Sequence, residues 1–304
     1  MLRVLPNVDA ALRAGAPVVA LESSVFAQGL PIPQNREAAT RMLSAVERAG
    51  ATPAITAVAR GTPTIGLEPE ELVRFLQRDG VQKVSARDIP FAVATDRDGA
   101  TTVAASLALA NLAGIEVFAT GGIGGVHRDA PFDESADLAE LARTPMLVVC
   151  AGAKSILDLP ATWERLESIG VPVIGYRTRE FPGFVSAETG IALEAVANDC
   201  EEIVSAFDAH RALGRTQAML VVQPPPPKLA IAHDVIDLAV QEAQRECAKT
   251  GISGSKVTPF LLEAVSRLTG GTSVSANLAL LEQNAALAGA LATICSVHAK
   301  GRSA

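Results

Sequence analysis

The chain has 304 residues, of which 49% are hydrophobic and 19% charged, with a net charge of −7. That composition supplies ample material for a core and excludes a disordered or low-complexity class. The acidic balance, without a basic stripe, excludes the usual nucleic-acid footprint. Any anionic substrate must then be held by local lysines, arginines or helix N-termini.

Short apolar runs alternate with longer amphipathic ones. Strands are expected at 17–23, 53–59, 81–85, 115–120, 146–152, 171–176 and 217–223. Most are continuously hydrophobic, the pattern of strands covered on both faces. Helices are expected at 33–50, with Gly50 as its C-terminal stop, and at 68–80, with acids in the first turn and Gly80 at the end. Others follow at 101–114, 135–143, 161–170, 234–251 and 275–295, and the whole stretch 229–304 reads as helical. The alternation predicts an α/β sandwich. No linker divides it, so a single domain is expected over 1–304. The segment QPPPPK (223–228) is too short for a linker and reads as an extended loop that could line a site.

The four cysteines, Cys150, Cys200, Cys247 and Cys295, are far apart and form no CxxC pair. They read as reduced thiols of a cytoplasmic protein, and a structural zinc site is not indicated. No apolar run reads as long enough to span a membrane, and the N-terminus lacks the apolar stretch of a secretory signal.

Sites in open α/β sheets gather at the carboxyl ends of strands. Glu22 ends the 17–23 run, Lys83 lies on 81–85, and Thr120 leads into GGIGGVHR, which reaches His127. Lys154 follows the apolar run VVCAGA (148–153). Such a lysine either snorkels outward or is used. Desolvated among small residues, it would have a lowered pKa and could be the amine of a Schiff-base enzyme. Glu22 reads as a solvated loop carboxylate or, if buried, as a general acid with a raised pKa. Lys83 reads as a surface charge or as an anion binder beside Lys154.

GGIGGVHRD (121–129) is neither a dinucleotide fingerprint nor a P-loop. It is a tight turn or a cradle of backbone N–H groups for phosphate or carbonyl oxygens. Thr101 and Thr102 sit at a helix start, for capping, anion binding or both. Asp133 and Asp137 are spaced i, i+4, on one face of a helix start. Capping by Asp133 is one reading. The other is a hard divalent cation, Mg²⁺ or Mn²⁺, held by few carboxylates and mostly by water.

Taken together, ALESSVFAQGLPIPQN (20–35), KVSARDIP (83–90), GATTVAASLALA (99–110), VFATGGIGGVHR (117–128), DESADLAEL (133–141), VVCAGAKSILDLP (148–160), GVPVIGYRTREFPGF (170–184) and SANLALLEQNAALA (275–288) resemble the pseudouridine-5′-phosphate glycosidase family, in order and over nearly the whole chain. The resemblance implies a three-layer α/β/α sandwich with a central mixed, largely parallel sheet and a helical C-terminal segment, assembled as a homotrimer. It implies reversible cleavage of the C–C glycosidic bond of pseudouridine 5′-phosphate to uracil and ribose 5-phosphate, in pseudouridine catabolism. By the same resemblance Lys154 is the nucleophile, Glu22 the proton donor and Asp133 the ligand of Mn²⁺, with Mg²⁺ or another divalent cation as substitutes. Lys83, the backbone near Val103, Ser135, Ala136 and Asp137 match substrate-binding positions, and Thr120, His127 and Asn277 are further candidates. Two positions depart from the family pattern: Gln223 stands where an asparagine is usual, and Ser255 where a lysine is.

Two rival readings fit a strand-end lysine with a carboxylate. One is another Schiff-base phosphosugar lyase, such as an aldolase, which would need no pyrimidine. The other is a non-catalytic phosphosugar-binding protein, which would not require Glu22, Asp133 and Lys154 together.

Overall fold

Every residue of VVALE (β2, Val18–Glu22), LVVC (β9, Leu147–Cys150) and MLVV (β13, Met219–Val222) is buried. Strands with helices on both faces need that continuous hydrophobicity. The computed structural model describes residues 2–128, 132–252, 254 and 257–303. The other strands are β1 (Arg3–Val4), β3 (Thr52–Ala59), β4 (Thr62–Ile65), β5 (Gln82–Val84), β6 (Gly99–Thr101), β7 (Val117–Ala119), β8 (Val126–His127), β10 (Leu157–Asp158), β11 (Val173–Tyr176) and β12 (Val196–Ala197). The helices are α1 (Pro6–Arg13), α2 (Gln34–Arg48), α3 (Pro69–Gln77), α4 (Ile89–Ala94), α5 (Val103–Leu112), α6 (Ala136–Leu141), α7 (Leu159–Ser168), α8 (Cys200–Ala212), α9 (His233–Thr250), α10 (Val257–Leu268) and α11 (Thr272–Ser303).

The main sheet runs β1-β4-β3-β2-β7-β9-β13-β11-β12, with β6 and β5 branching from β3. From β3 through β12 every pairing along this path is parallel, while β3 meets β4 and β6 antiparallel. The sheet is therefore mixed and mostly parallel, and helices flank it. The β2, β7 and β9 carboxyl ends lie side by side in register, with Leu21 opposite Ala119 and Ala119 opposite Val149. The β8–β10 pair forms a small separate antiparallel sheet.

All seven expected strands are present, six of them shortened and β3 longer by one residue at its start. Those not foreseen, such as β8 and β10, are two to four residues long, too short for periodicity to register. Helices α1, α4 and α8 were not foreseen either. Gly50 takes φ +83° just past α2, as expected. The α3 helix stops earlier than expected, at Gln77, because Arg78 itself adopts the left-handed conformation (φ 72°). The C-terminal stretch is helical from His233 onward among its described residues, as α9, α10 and α11 with turns between them, while residues 229–232 lie outside any helix.

The expectation that no segment could span a membrane needs correction. By length and composition, Thr272–Gly301 of α11 is apolar enough to do so. Here it is a core helix: 61% of its most apolar window is buried, packed along α2 and across β2, β7 and β9.

Candidate active site

Glu22 is the last residue of β2 and Lys154 lies beyond the end of β9, with β7 between them. Two constraints set the lysine. Gly152 takes φ +73°, and a Cβ there would sit 1.8 Å from the Pro182 carbonyl oxygen, so only glycine fits this turn. The Lys154 N–H then donates to Ile123 O at 3.1 Å, tying the turn to the segment after β7. Lys154 is half-buried and faces a cavity of about 570 Å³. Glu22, Lys83, His127, Asp133, Ser135 and Asp137 face the same cavity.

Glu22 is 2% exposed. Its Oε1 accepts from the Thr120 hydroxyl and its Oε2 from Ser24 Oγ at 2.7 Å. Burial pushes its carboxyl above the ordinary value of 4.5. The Lys154 charge and the two hydroxyls oppose that push, and the Asp137 charge adds to it. The sequence option of a solvated Glu22 is thereby removed. Lys83 is held below its ordinary value of 10.5, first by burial and then by the Lys154 charge. Among the described residues no carboxylate lies within ion-pair distance of either lysine. Burial pushes Cys150 up to about 12, so its thiol beneath the site is inert.

Four N–H groups of the glycine-rich segment are tied to the protein itself, as a tight turn requires. The Ile123 N–H donates to Gly152 O, Gly124 N–H to Asp137 Oδ2, Val126 N–H to Thr162 Oγ1 and His127 N–H to Asp133 O. These four donors are consumed by the protein. The glycine at 124 serves close packing instead, since a Cβ would sit 2.2 Å from Ser135 Oγ.

The two aspartates do not share a helix face. The cap of α6 is Ser135, whose Oγ accepts from Asp137 N–H at 3.3 Å, and Asp133 precedes the helix. Asp137 is buried and spends its carboxylate on the Ala104 and Gly124 N–H groups, both at 2.9 Å. It thereby joins the N-terminus of α5 to the loop after β7. Thr102 caps α5 and lines the cavity, and Val103 occupies the first helical position, where its N–H has no partner within the helix. Among the described residues no three His, Cys, Asp or Glu side chains form a metal cage. Asp133 is exposed at the cavity, and its carboxylate has no partner among the described residues, whereas Glu134 pairs with Arg165 at 3.0 Å. A lone carboxylate of this kind suits a hard cation that keeps most of its water.

Three candidates stand apart from the cavity wall. Thr120 is fully buried behind Glu22, and Val103 is buried at the α5 start. Asn277 lines an adjoining cavity of about 370 Å³, which shares Gln28, Ile156 and Leu262 with the first. The QPPPPK loop closes in a turn, with Leu229 and Ala230 N–H donating to Pro226 O, and Gln223 turns its side chain toward α11. Ser255 lies outside the described residues. Sequence reasoning missed Ser24, Arg87 and Arg165 as cavity-lining groups. Ser24 was discoverable, being two residues beyond Glu22 at the same strand end.

A family model described as "Indigoidine synthase A like protein" matches residues 7–294. The chain belongs to this family. A curated relative from Gemmatimonas aurantiaca, named pseudouridine-5′-phosphate glycosidase, is 63% identical over 290 residues, 95% of each chain. Among solved structures, the prealnumycin C-glycosynthase AlnA in complex with ribulose 5-phosphate superposes with a TM-score of 0.91 at 38% identity, covering 99% of both chains. The indigoidine synthase A-like protein of Thermotoga maritima gives 0.89 at 35% identity, covering 97% of both. For this indigoidine synthase A-like chain, the fold is thus that of the two solved structures, one of them a C-glycosynthase held with ribulose 5-phosphate.

Proposed function

We propose that this chain is a pseudouridine-5′-phosphate glycosidase, cleaving the bond between C1′ of the ribose phosphate and C5 of uracil, reversibly, through a Schiff base on Lys154. The observation that carries the reading is the convergence of Lys154 and a buried Glu22 on one cavity from the ends of β9 and β2, on either side of β7. The curated relatives' name supports it.

An ordinary two-carboxylate glycosidase protonates a heteroatom leaving group. Here the leaving atom is carbon, so an amine route is required. Glu22, whose carboxyl burial holds above its ordinary value, gives its proton to the ribose ring oxygen, and the ring opens. Lys154 bonds to C1′. Uracil leaves with the electrons of the C–C bond and takes a proton at C5, while an iminium remains on the lysine. Water adds to the iminium carbon and ribose 5-phosphate is released. The sum is substrate plus water giving uracil plus ribose 5-phosphate. Lys83, the Thr102-capped start of α5 and the Ser135-capped start of α6 are the groups to bind phosphate and hydroxyls.

Asp133 is the residue to hold Mn²⁺ or Mg²⁺ in this reading. Such an ion supplies charge for phosphate or hydroxyl oxygens. The reading also includes a homotrimer in the cytoplasm, a setting with which four cysteines outside any disulfide agree.

The test is uracil release from pseudouridine 5′-phosphate by the purified protein, followed by chromatography. Formation of the same compound from uracil and ribose 5-phosphate completes the cycle. Cleavage of phosphosugars lacking a pyrimidine, with none of pseudouridine 5′-phosphate, would favour an aldolase instead.

A further inference from the structure

Behind Glu22 lies a chain of neutral groups that does not touch the cavity. Thr120 donates its hydroxyl to Glu22 Oε1. The Thr120 carbonyl accepts from Asn284 Nδ2 at 2.8 Å, and Gly121 O lies 3.3 Å from the same nitrogen. Asn284 Oδ1 accepts from Gln223 Nε2 at 3.0 Å, and Gln223 Oε1 accepts from Gln283 Nε2 at 2.8 Å. Glu22, Thr120, Gln223 and Asn284 are all 4% exposed or less. The order of donors fixes the Asn284 amide: its oxygen must meet the Gln223 nitrogen, so its nitrogen meets Thr120. Close approach makes this reach possible. A Cβ at Gly121 would meet Phe184 at 3.1 Å and Leu281 at 3.2 Å, so the glycine lets α11 pack closely onto the turn.

The two oxygens of Glu22 differ as a result. Ser24, on Oε2, is half-buried and lines the cavity, so it can yield its place to substrate or water. Thr120 is fully buried and its hydroxyl has no other acceptor among the described residues.

We propose that Asn284, oriented by Gln223, is a positioning residue: it holds Thr120 so that the inner oxygen of Glu22 is anchored and the cavity-side Oε2 presents the proton. The catalytic part of this statement rests on Glu22 acting as the acid of the proposed function; the anchoring part does not. The other groups facing Glu22 are Lys154 after β9, Lys83 on β5 and Asp137 on α6, and the relay leaves these charges in place. The structure thus links α11 to the end of β2 through buried hydrogen bonds, each costly to leave unmade.

The experiment uses the full chain and the variants Thr120→Val, Thr120→Ser and Asn284→Leu. The titration of Glu22 is read from the infrared band of its protonated carboxyl, identified by its loss in Glu22→Gln. Removing a donor to the ionised form raises the pKa. The expected result is a rise of about one pH unit in Thr120→Val, a rise in the same direction in Asn284→Leu, and wild-type titration in Thr120→Ser. In the cleavage assay Asn284→Leu should lose roughly tenfold to hundredfold in kcat with KM within about twofold. The kcat–pH profile should move with the infrared titration.

Unchanged Glu22 titration in Thr120→Val overturns the anchoring, whether or not the enzyme turns over. If Asn284→Leu does not fold, the two threonine variants decide alone. A wild-type protein that cleaves nothing while the titrations shift as stated overturns the functional reading and leaves the anchoring standing.

Discussion

Lys83 and Lys154 face one cavity from β5 and from the turn after β9, and the charge of Lys154 adds to burial in holding Lys83 below its ordinary pKa. Two cations brought together without a carboxylate partner within ion-pair distance, among the described residues, make a site for an anion. Replacing Lys83 by methionine should raise KM for the phosphorylated substrate by about tenfold to a hundredfold, with a smaller change in kcat. The sign of the pH effect follows from the lowered pKa. Lys83 loses its proton before pH reaches 10.5, so wild-type KM should climb on the alkaline side earlier than a free lysine would allow. Steady-state kinetics across that range, with Lys83→Met as the flat control, check this.

Glu22→Gln should lower the cleavage rate by about 10²- to 10⁴-fold. It should also stabilise the fold at neutral pH. The folded-state pKa of Glu22 is raised above 4.5 by burial. The folded form therefore binds more protons than the unfolded chain in the window above 4.5, and stability falls as pH rises through that window. Glutamine escapes this loss. Denaturant melts at a series of pH values should show the variant gaining on the wild type from about pH 4.5 upward, and then levelling.

Asp133→Asn should leave the melt unchanged, because the side chain is exposed and has no partner among the described residues. The Mn²⁺ concentration for half-maximal effect should rise at least about tenfold. Calorimetric titration with Mn²⁺ measures this directly. Equal affinity in both proteins would remove Asp133 from the metal reading.

Gly152→Ala should destabilise the fold by more than about 3 kcal/mol, because the added carbon would lie 1.8 Å from the Pro182 carbonyl at a left-handed position. A thermal melt close to that of the wild type would show that the turn under Lys154 can relax.

Much of the site was legible because β2, β7 and β9 are continuous apolar runs, and a lysine or glutamate at such an end announces itself. Glu22 and Lys154 were found that way. The aspartates were misread because a spacing of four residues says nothing about where a helix begins: Ser135 starts α6, which leaves Asp133 outside it and turns Asp137 inward to two backbone N–H groups. In the glycine-rich loop, four N–H groups are satisfied by partners that no local pattern reports, such as Thr162, 36 residues on from Val126. The Gln223–Asn284–Thr120 chain joins β13, α11 and β7 across 164 residues, and no local pattern reports it.

The central claim is that Lys154 becomes covalently bonded to the sugar phosphate. The direct measurement is to incubate the full chain with ribose 5-phosphate, uracil and Mn²⁺, reduce with borohydride, and determine the masses of the intact protein and its peptides. The account predicts one reduced pentose-phosphate adduct, on Lys154, and none in Lys154→Ala, which should form no product. Turnover by Lys154→Ala, or an adduct on another lysine in the wild type, would contradict it.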